Sequence, residues 1–353
     1  MPRTILSVAY PFAPVSSQTA GGAEQILLSI DSFLHRSGYR SLVVCCKGSR
    51  ASGTIIELDA PDGVIDDLTR FSMWKNYRLL IESVVKEYRV DLVHFHGLDF
   101  DKYLPDLSVP VLVTLHLPLS WYSPQVLLQE RSAVFFNCVS RHQFLTRDQT
   151  LNLVGVVENG VELPSGINPN NRGKYAVAMG RICPEKNFHS AFDAARMAGI
   201  PLLLAGKVFP YREHLDYFAS HIAPRLNNRY RFIGMIDSSQ RKKILQHAHC
   251  TLITSRAPET SSLVAMESLA AGTPVIAFGS GALPSIVENG KTGFIVENVQ
   301  EMADAVNQIT DIDRNWCRRV AEERFSAERM GLQYLEIYRS LIETSSRNFK
   351  EAG

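Results

Sequence analysis

No run of this chain is apolar for long enough to cross a bilayer, and the apolar part of the N-terminal MPRTILSVAYPFAP is too short for a secretory leader. A soluble, cytoplasmic protein is expected, with peripheral membrane contact left open. Cysteine is sparse: Cys45, Cys46, Cys138, Cys183, Cys250 and Cys317 lie in apolar contexts without metal-ligand spacing, as reduced core thiols do. Charge is also nearly absent as a signal. With 37 basic and 36 acidic residues, the net charge of +1 gives no electrostatic case for nucleic acid. There is no short repeat, heptad or low-complexity segment. Nor is there a Gly-x-Gly-x-x-Gly turn after the first strand, which counts against a nicotinamide-dependent oxidoreductase.

What is present is a 353-residue chain, 45% apolar and 21% charged, long enough for two domains with separate cores. In the first half, β-branched and apolar runs at 4–10, 41–46, 90–95, 109–117, 133–140 and 154–157 read as buried strands. Helical patterns at 24–37 and 73–88 alternate with them, which argues for a doubly wound parallel α/β sheet. Ligands of such sheets collect beyond the C-terminal strand edges, where His96, His116 and Ser140 fall. The loop 11–22 ends in Gly21-Gly22 before a helix, so it either lets backbone N–H groups approach a phosphate or simply permits a tight turn. Residues 159–171, rich in Asn, Gly and Pro, read as a linker. A second alternation follows, with strands at 175–179, 201–205, 230–233, 250–253 and 274–278. Helices are expected at 188–198, 213–226, 239–248, 299–310, 313–325 and 327–343, before a polar, frayed tail from Thr344.

The densest chemistry lies in 251–296. A strand leads through Ser255-Arg256-Ala257-Pro258-Glu259 to Thr260-Ser261-Ser262, three candidate N-caps for a helix at 262–271 that Gly272 stops. Glu267 is the only charge on that helix. It is either solvated or held by specific donors. Glu259 stands eight positions before it, and the helix N-terminus between them suits an anion.

Two glutamates separated by seven residues, then Ala270-Ala271-Gly272-Thr273-Pro274-Val275, Gly281-Ala282-Leu283-Pro284 and Gly290-Lys291-Thr292-Gly293, resemble the signature of glycosyltransferase family 4. Gly180-Arg181 with Pro184-Glu185-Lys186 resembles that family's Gly-Arg…Pro-x-Lys element. The resemblance implies a GT-B fold of two doubly wound, Rossmann-like domains facing across a cleft. Residues 1–160 would form the acceptor side and 161–327 the nucleotide-sugar side, with the last helix, from about 328, packing back on the first. It also implies a retaining transferase that moves a sugar from a nucleotide-diphosphate donor, with a UDP-sugar expected, to an acceptor hydroxyl. Arg181 and Lys186 would hold the diphosphate in place of a metal, so no metal or other cofactor is required. Glu267 would bind the ribose hydroxyls and Glu259 the transferred sugar, with Leu263 and Val264 turning backbone N–H groups to phosphate. Met235, in Gly234-Met235-Ile236, either belongs to the segment that reads the nucleobase or sits in an ordinary turn. His116, in a Thr-x-His-x-Pro context, would contact the donor sugar; His96 lines the cleft and Asn159 is mainly structural. The acceptor and oligomeric state are not legible.

The chain departs from the family pattern in places. Thr260-Ser261-Ser262 replaces a glycine, an aromatic and a small residue, Ser285 replaces a glutamate, and Asn187 stands where glycine is usual. Trp121 and Tyr122 either stack on an acceptor or fill a core. The departures keep alive a catalytically weak sugar- or nucleotide-binding protein. A metal-dependent transferase built on Asp99-Phe100-Asp101 is a further rival, although those residues read as a solvated turn.

Overall fold

The computed structural model describes residues 2–16, 19, 21–59, 66–127, 133–147, 153–166 and 173–351, with side chains as far as 345. The chain forms two compact units, Met1–Asn159 with Ala327–Gly353, and Gly160–Ser326. Among the described residues no helix is long and apolar enough to cross a membrane. The 167–171 part of the expected linker lies outside the described residues.

Unit 1 contains strands β1 (Thr4–Val8), β2 (Arg40–Cys46), β3 (Thr54–Leu58), β4 (Leu92–Phe95), β5 (Val111–Leu115), β6 (Val134–Cys138) and β7 (Leu153–Val156). They form one parallel sheet in the order β3-β2-β1-β4-β5-β6-β7. Its helices are α1 (Gly22–Arg36), α2 (Asp67–Tyr88), α3 (Pro124–Leu127) and α4 (Arg141–Leu145). Strands β1 and β5 are buried along their whole length, as expected of parallel strands covered on both faces. The edge strand β3 was not anticipated. It is five residues, half-exposed, and follows directly on the Ser52-Gly53 turn.

Unit 2 contains β8 (Ala176–Met179), β9 (Leu202–Ala205), β10 (Tyr230–Phe232), β11 (Cys250–Ile253), β12 (Val275–Phe278) and β13 (Gly293–Val296), all parallel, in the order β10-β9-β8-β11-β12-β13. Helices α5 (Phe188–Met197), α6 (Arg212–Tyr217), α7 (Ser238–His247), α8 (Leu263–Ala270), α9 (Leu283–Ile286), α10 (Val299–Gln308) and α11 (Arg314–Arg324) connect and cover them. The expected single helix at 213–226 is instead α6 followed by a π turn at Phe218–Ile222 and a 3₁₀ turn at Ala223–Arg225. Pro224, which lacks an N–H, takes an early position in the last turn, where none is needed.

The final helix, α12 (Ala327–Glu351), belongs to unit 1 and runs past the point where fraying was expected. Gly331 permits its contact with α1, since a Cβ there would lie 2.3 Å from the Phe33 ring. Tyr338 meets His94 Nδ1 at 2.7 Å, and Tyr334 joins Thr114 and Asn137 at 3.0 and 3.2 Å. His94 Nε2 reaches Thr114 at 2.7 Å, so this buried imidazole is fully hydrogen-bonded inside unit 1.

Candidate active site

In unit 2 the strand order turns back between β8 and β11, whose following loops therefore leave in opposite directions. The loop after β8 carries Arg181 and Lys186, and the loop after β11 carries Glu259. They meet: Lys186 Nζ lies 2.5 Å from Glu259 Oε1, and the Ser255 hydroxyl donates to the same oxygen. The pair is largely enclosed, with Lys186 27% and Glu259 11% exposed in their side chains. Two more bonds hold the loops together, from Thr254 Oγ1 to the Lys186 carbonyl and from Arg256 N to the Glu185 carbonyl, both 2.9 Å. Asn187, directly after Lys186, is left-handed at φ 53°, the conformation that glycine takes most easily and asparagine next. Its side-chain oxygen accepts from the Ser190 hydroxyl at 3.1 Å, a bond that glycine could not make.

Helix α8 forms because LVAMESLA consists mostly of strong helix formers and Gly272, at φ 70°, closes it. Of the three candidate caps, Ser262 takes the N-cap position but makes no side-chain bond to the helix, and the first turn carries no acid. Leu263 and Val264 thus open an N-terminus that no side chain neutralises. Next to it the Ser261 hydroxyl is buried without a partner. Glu267 faces α7, not the core: Oε1 lies 3.3 Å from Arg241, while Oε2 is buried and unpartnered. Burial holds this carboxyl above the ordinary glutamate range, with Arg241 opposing. Glu267 therefore has one anchored oxygen and one that needs a donor.

The Gly281-Ala282 segment explains how Glu259 is placed. A Cβ on Gly281, at φ 60°, would lie 2.2 Å from the Glu259 carbonyl oxygen, and Ala282 N donates to that oxygen at 2.7 Å. Ser285, another departure, is exposed and bonds its own turn at Ala282. Arg181 is exposed and forms no ion pair among the described residues. Met235, 46% exposed, follows Gly234 at φ 70° beyond β10, with no described contact that brings it to Glu259 or Glu267.

In unit 1, His96 and His116 follow β4 and β5, and His96 Nδ1 lies 3.2 Å from His116 Nε2. Burial keeps both neutral, pushing His116 down to about 3 and His96 well below its ordinary range. His96 Nε2 is buried without a partner. Asn159 is buried with its side-chain carbonyl unpartnered. Gly21 and Gly22 stand at the start of α1, where Gly21 is the N-cap. The Glu24 carboxylate covers this point, 1.8 Å from where a Gly21 Cβ would be. The bonding of Asp99 corrects the reading of 99–101 as a solvated turn: it accepts from Trp74 Nε1 at 2.6 Å, and burial raises its carboxyl. Asp101 pairs with Lys102 at 2.8 Å. Of the two aromatics, Tyr122 is in the core with its hydroxyl on Leu117 N, whereas Trp121 is 57% exposed.

Three contributors were not legible. Ser255 could have been suspected from its place at a strand end. Arg241 is one of three consecutive basic residues, and only the packing of α7 on α8 selects it. The role of Gly281 depends on the approach of two distant loops.

Residues 162–324 match the family model described as glycosyl transferases group 1, a match that spans nearly all of unit 2. A glycogen synthase of Mycobacterium tuberculosis is 28% identical over 169 residues, 45% of this chain and 40% of that protein. An alpha-monoglucosyldiacylglycerol synthase of Streptococcus pneumoniae is 27% identical over 202 residues, 55% and 44% of the two chains. The chain thus spans less than half the length of these curated relatives. Among solved structures, sucrose-phosphate synthase from Thermosynechococcus elongatus aligns over 97% of this chain and 100% of its own, with TM-score 0.74 and 20% identity. Anabaena HepE in complex with UDP and glucose aligns over 96% and 100%, with TM-score 0.72 and 21% identity. The fold is therefore the GT-B fold of glycosyltransferases.

Proposed function

We propose that this chain is a retaining glycosyltransferase that takes a sugar from a nucleotide-diphosphate donor, a UDP-sugar, and passes it to a hydroxyl acceptor. The observation that carries it is the convergence of Lys186 and Glu259 at the strand reversal of unit 2, beside a helix N-terminus that no side chain caps. On donor binding the diphosphate takes Lys186 from Glu259 and meets Arg181, so the developing negative charge faces two cations and the α8 N–H groups. Glu259 turns to the sugar, and the free Oε2 of Glu267 accepts from the ribose hydroxyls. Charge compensation comes from the protein, and no metal is required. The complex of HepE with UDP and glucose supports the donor class. The catalytically weak alternative is set aside because Lys186, Glu259 and Arg181 are all retained.

The test is turnover of a UDP-sugar with the anomeric configuration of the product read by NMR. Wild type is expected to transfer or slowly hydrolyse the donor with retention, and Glu259→Gln and Arg181→Ala to lose most of that rate. Full activity in both variants, or an inverted product, would refute the assignment.

A further inference from the structure

Cys183, Glu185 and His214 bring a thiol, a carboxylate and an imidazole together, with their ligand atoms all within 4.8 Å of one another. Among the described residues they are the one such group. Cys183 and Glu185 flank Pro184 in the turn that ends at Lys186, and His214 comes from α6. Two features separate them from a chance cluster. His214 Nδ1 is buried with no hydrogen-bond partner, a destabilising arrangement when nothing meets it. The rings of Phe209 and Tyr211 stand edge-on to the imidazole at 6.4 and 5.2 Å, restricting its orientation. Cys183 is 1% exposed, with its thiol turned to the Arg181 carbonyl at 3.5 Å, while Glu185 is exposed. Sulfur, imidazole nitrogen and one carboxylate form the donor set of a borderline-soft divalent ion, whereas magnesium and calcium call for oxygen.

We propose that Cys183, Glu185 and His214 bind one zinc-type divalent ion, with water in the fourth position, and that the ion fixes the turn carrying Lys186. Binding replaces the S–H bond by an S–metal bond and releases that proton to solvent, with no change of oxidation state. The ion takes no part in sugar transfer, so the site stands or falls independently of the donor.

Titration of the full-length protein with Co²⁺ tests it, through the near-ultraviolet thiolate-to-metal band. A band saturating at one equivalent and displaced by Zn²⁺ is expected. Cys183→Ala should abolish it, and His214→Ala should weaken binding by at least about tenfold, the loss that follows removal of even an outer partner of a ligand. Thermal unfolding without metal confirms that each variant is folded. No band in wild type, or a band that survives in Cys183→Ala, would overturn the site.

Discussion

Glu267 concentrates the conflict between stability and binding at a single residue. Burial raises its folded carboxyl above the unfolded value, so the folded state holds a proton that the unfolded state has lost, and stability falls as pH rises through that window. Glu267→Gln removes the cost of the ionised form. Its melting temperature near neutral pH should equal or exceed that of wild type. Nucleotide binding should weaken by about 1.5–3 kcal/mol, the range for hydrogen bonds to a charged group. A destabilised variant with unchanged nucleotide affinity, read by calorimetry, would contradict this. His116 has the opposite sign. Its folded pKa is pushed down to about 3 from 6.5, so its contribution is present above 6.5 and is lost as pH falls toward 3. His116→Gln should flatten the pH dependence of unfolding across that window by up to about one proton. Its partner His96 was expected only to line the site, and the hydrogen bond between the rings was not legible, because spacing cannot show which side chains at adjacent strand edges meet.

Individual elements were the most legible level, for physical reasons. Most strands of unit 2 are largely apolar runs of four residues between turn residues, and α8 carries its stop signal at Gly272. β13 went unnamed as a strand because GFIV is short and begins with a glycine. That glycine is there for close approach: a Cβ on Gly293 would lie 1.7 Å from the Val275 carbonyl oxygen. The same reasoning applies to Gly281, where side-chain atoms would strike the Glu259 backbone. Gly281→Ala should leave the helical circular-dichroism signal intact and reduce transfer at least as far as Glu259→Gln does. Retained activity would show that the Glu259 loop does not depend on this contact. At Asn187, glycine should be tolerated, whereas valine should cost about 1–2 kcal/mol by urea unfolding, because the backbone is left-handed.

At the scale of the whole molecule, the chain leaves unit 1 at Asn159 and returns at Ala327, so α12 ties the C-terminal segment to the first sheet. One tie is polar. Tyr338→Phe should leave His94 Nδ1 buried and unsatisfied, destabilising unit 1 by about 1–3 kcal/mol in urea unfolding, while Tyr338→Ala adds the loss of a fully buried ring. No sequence pattern links position 338 to 94; only the packing of α12 against β4 does. The two-fold alternation of strands and helices was readable because most of the parallel strands are largely apolar runs, whereas the partners of Glu259 and Glu267 appear only once the loops are in place. The account as a whole rests on a donor site in unit 2. Thermal shift against UDP-, GDP- and dTDP-sugars, in wild type and in the Arg181→Ala/Lys186→Ala double variant, tests it most directly. A UDP-sugar at about a hundred times its Kd should stabilise wild type by about 2.7 kcal/mol and leave the double variant almost unmoved. No stabilisation by any nucleotide sugar, or an equal shift in both proteins, would contradict it.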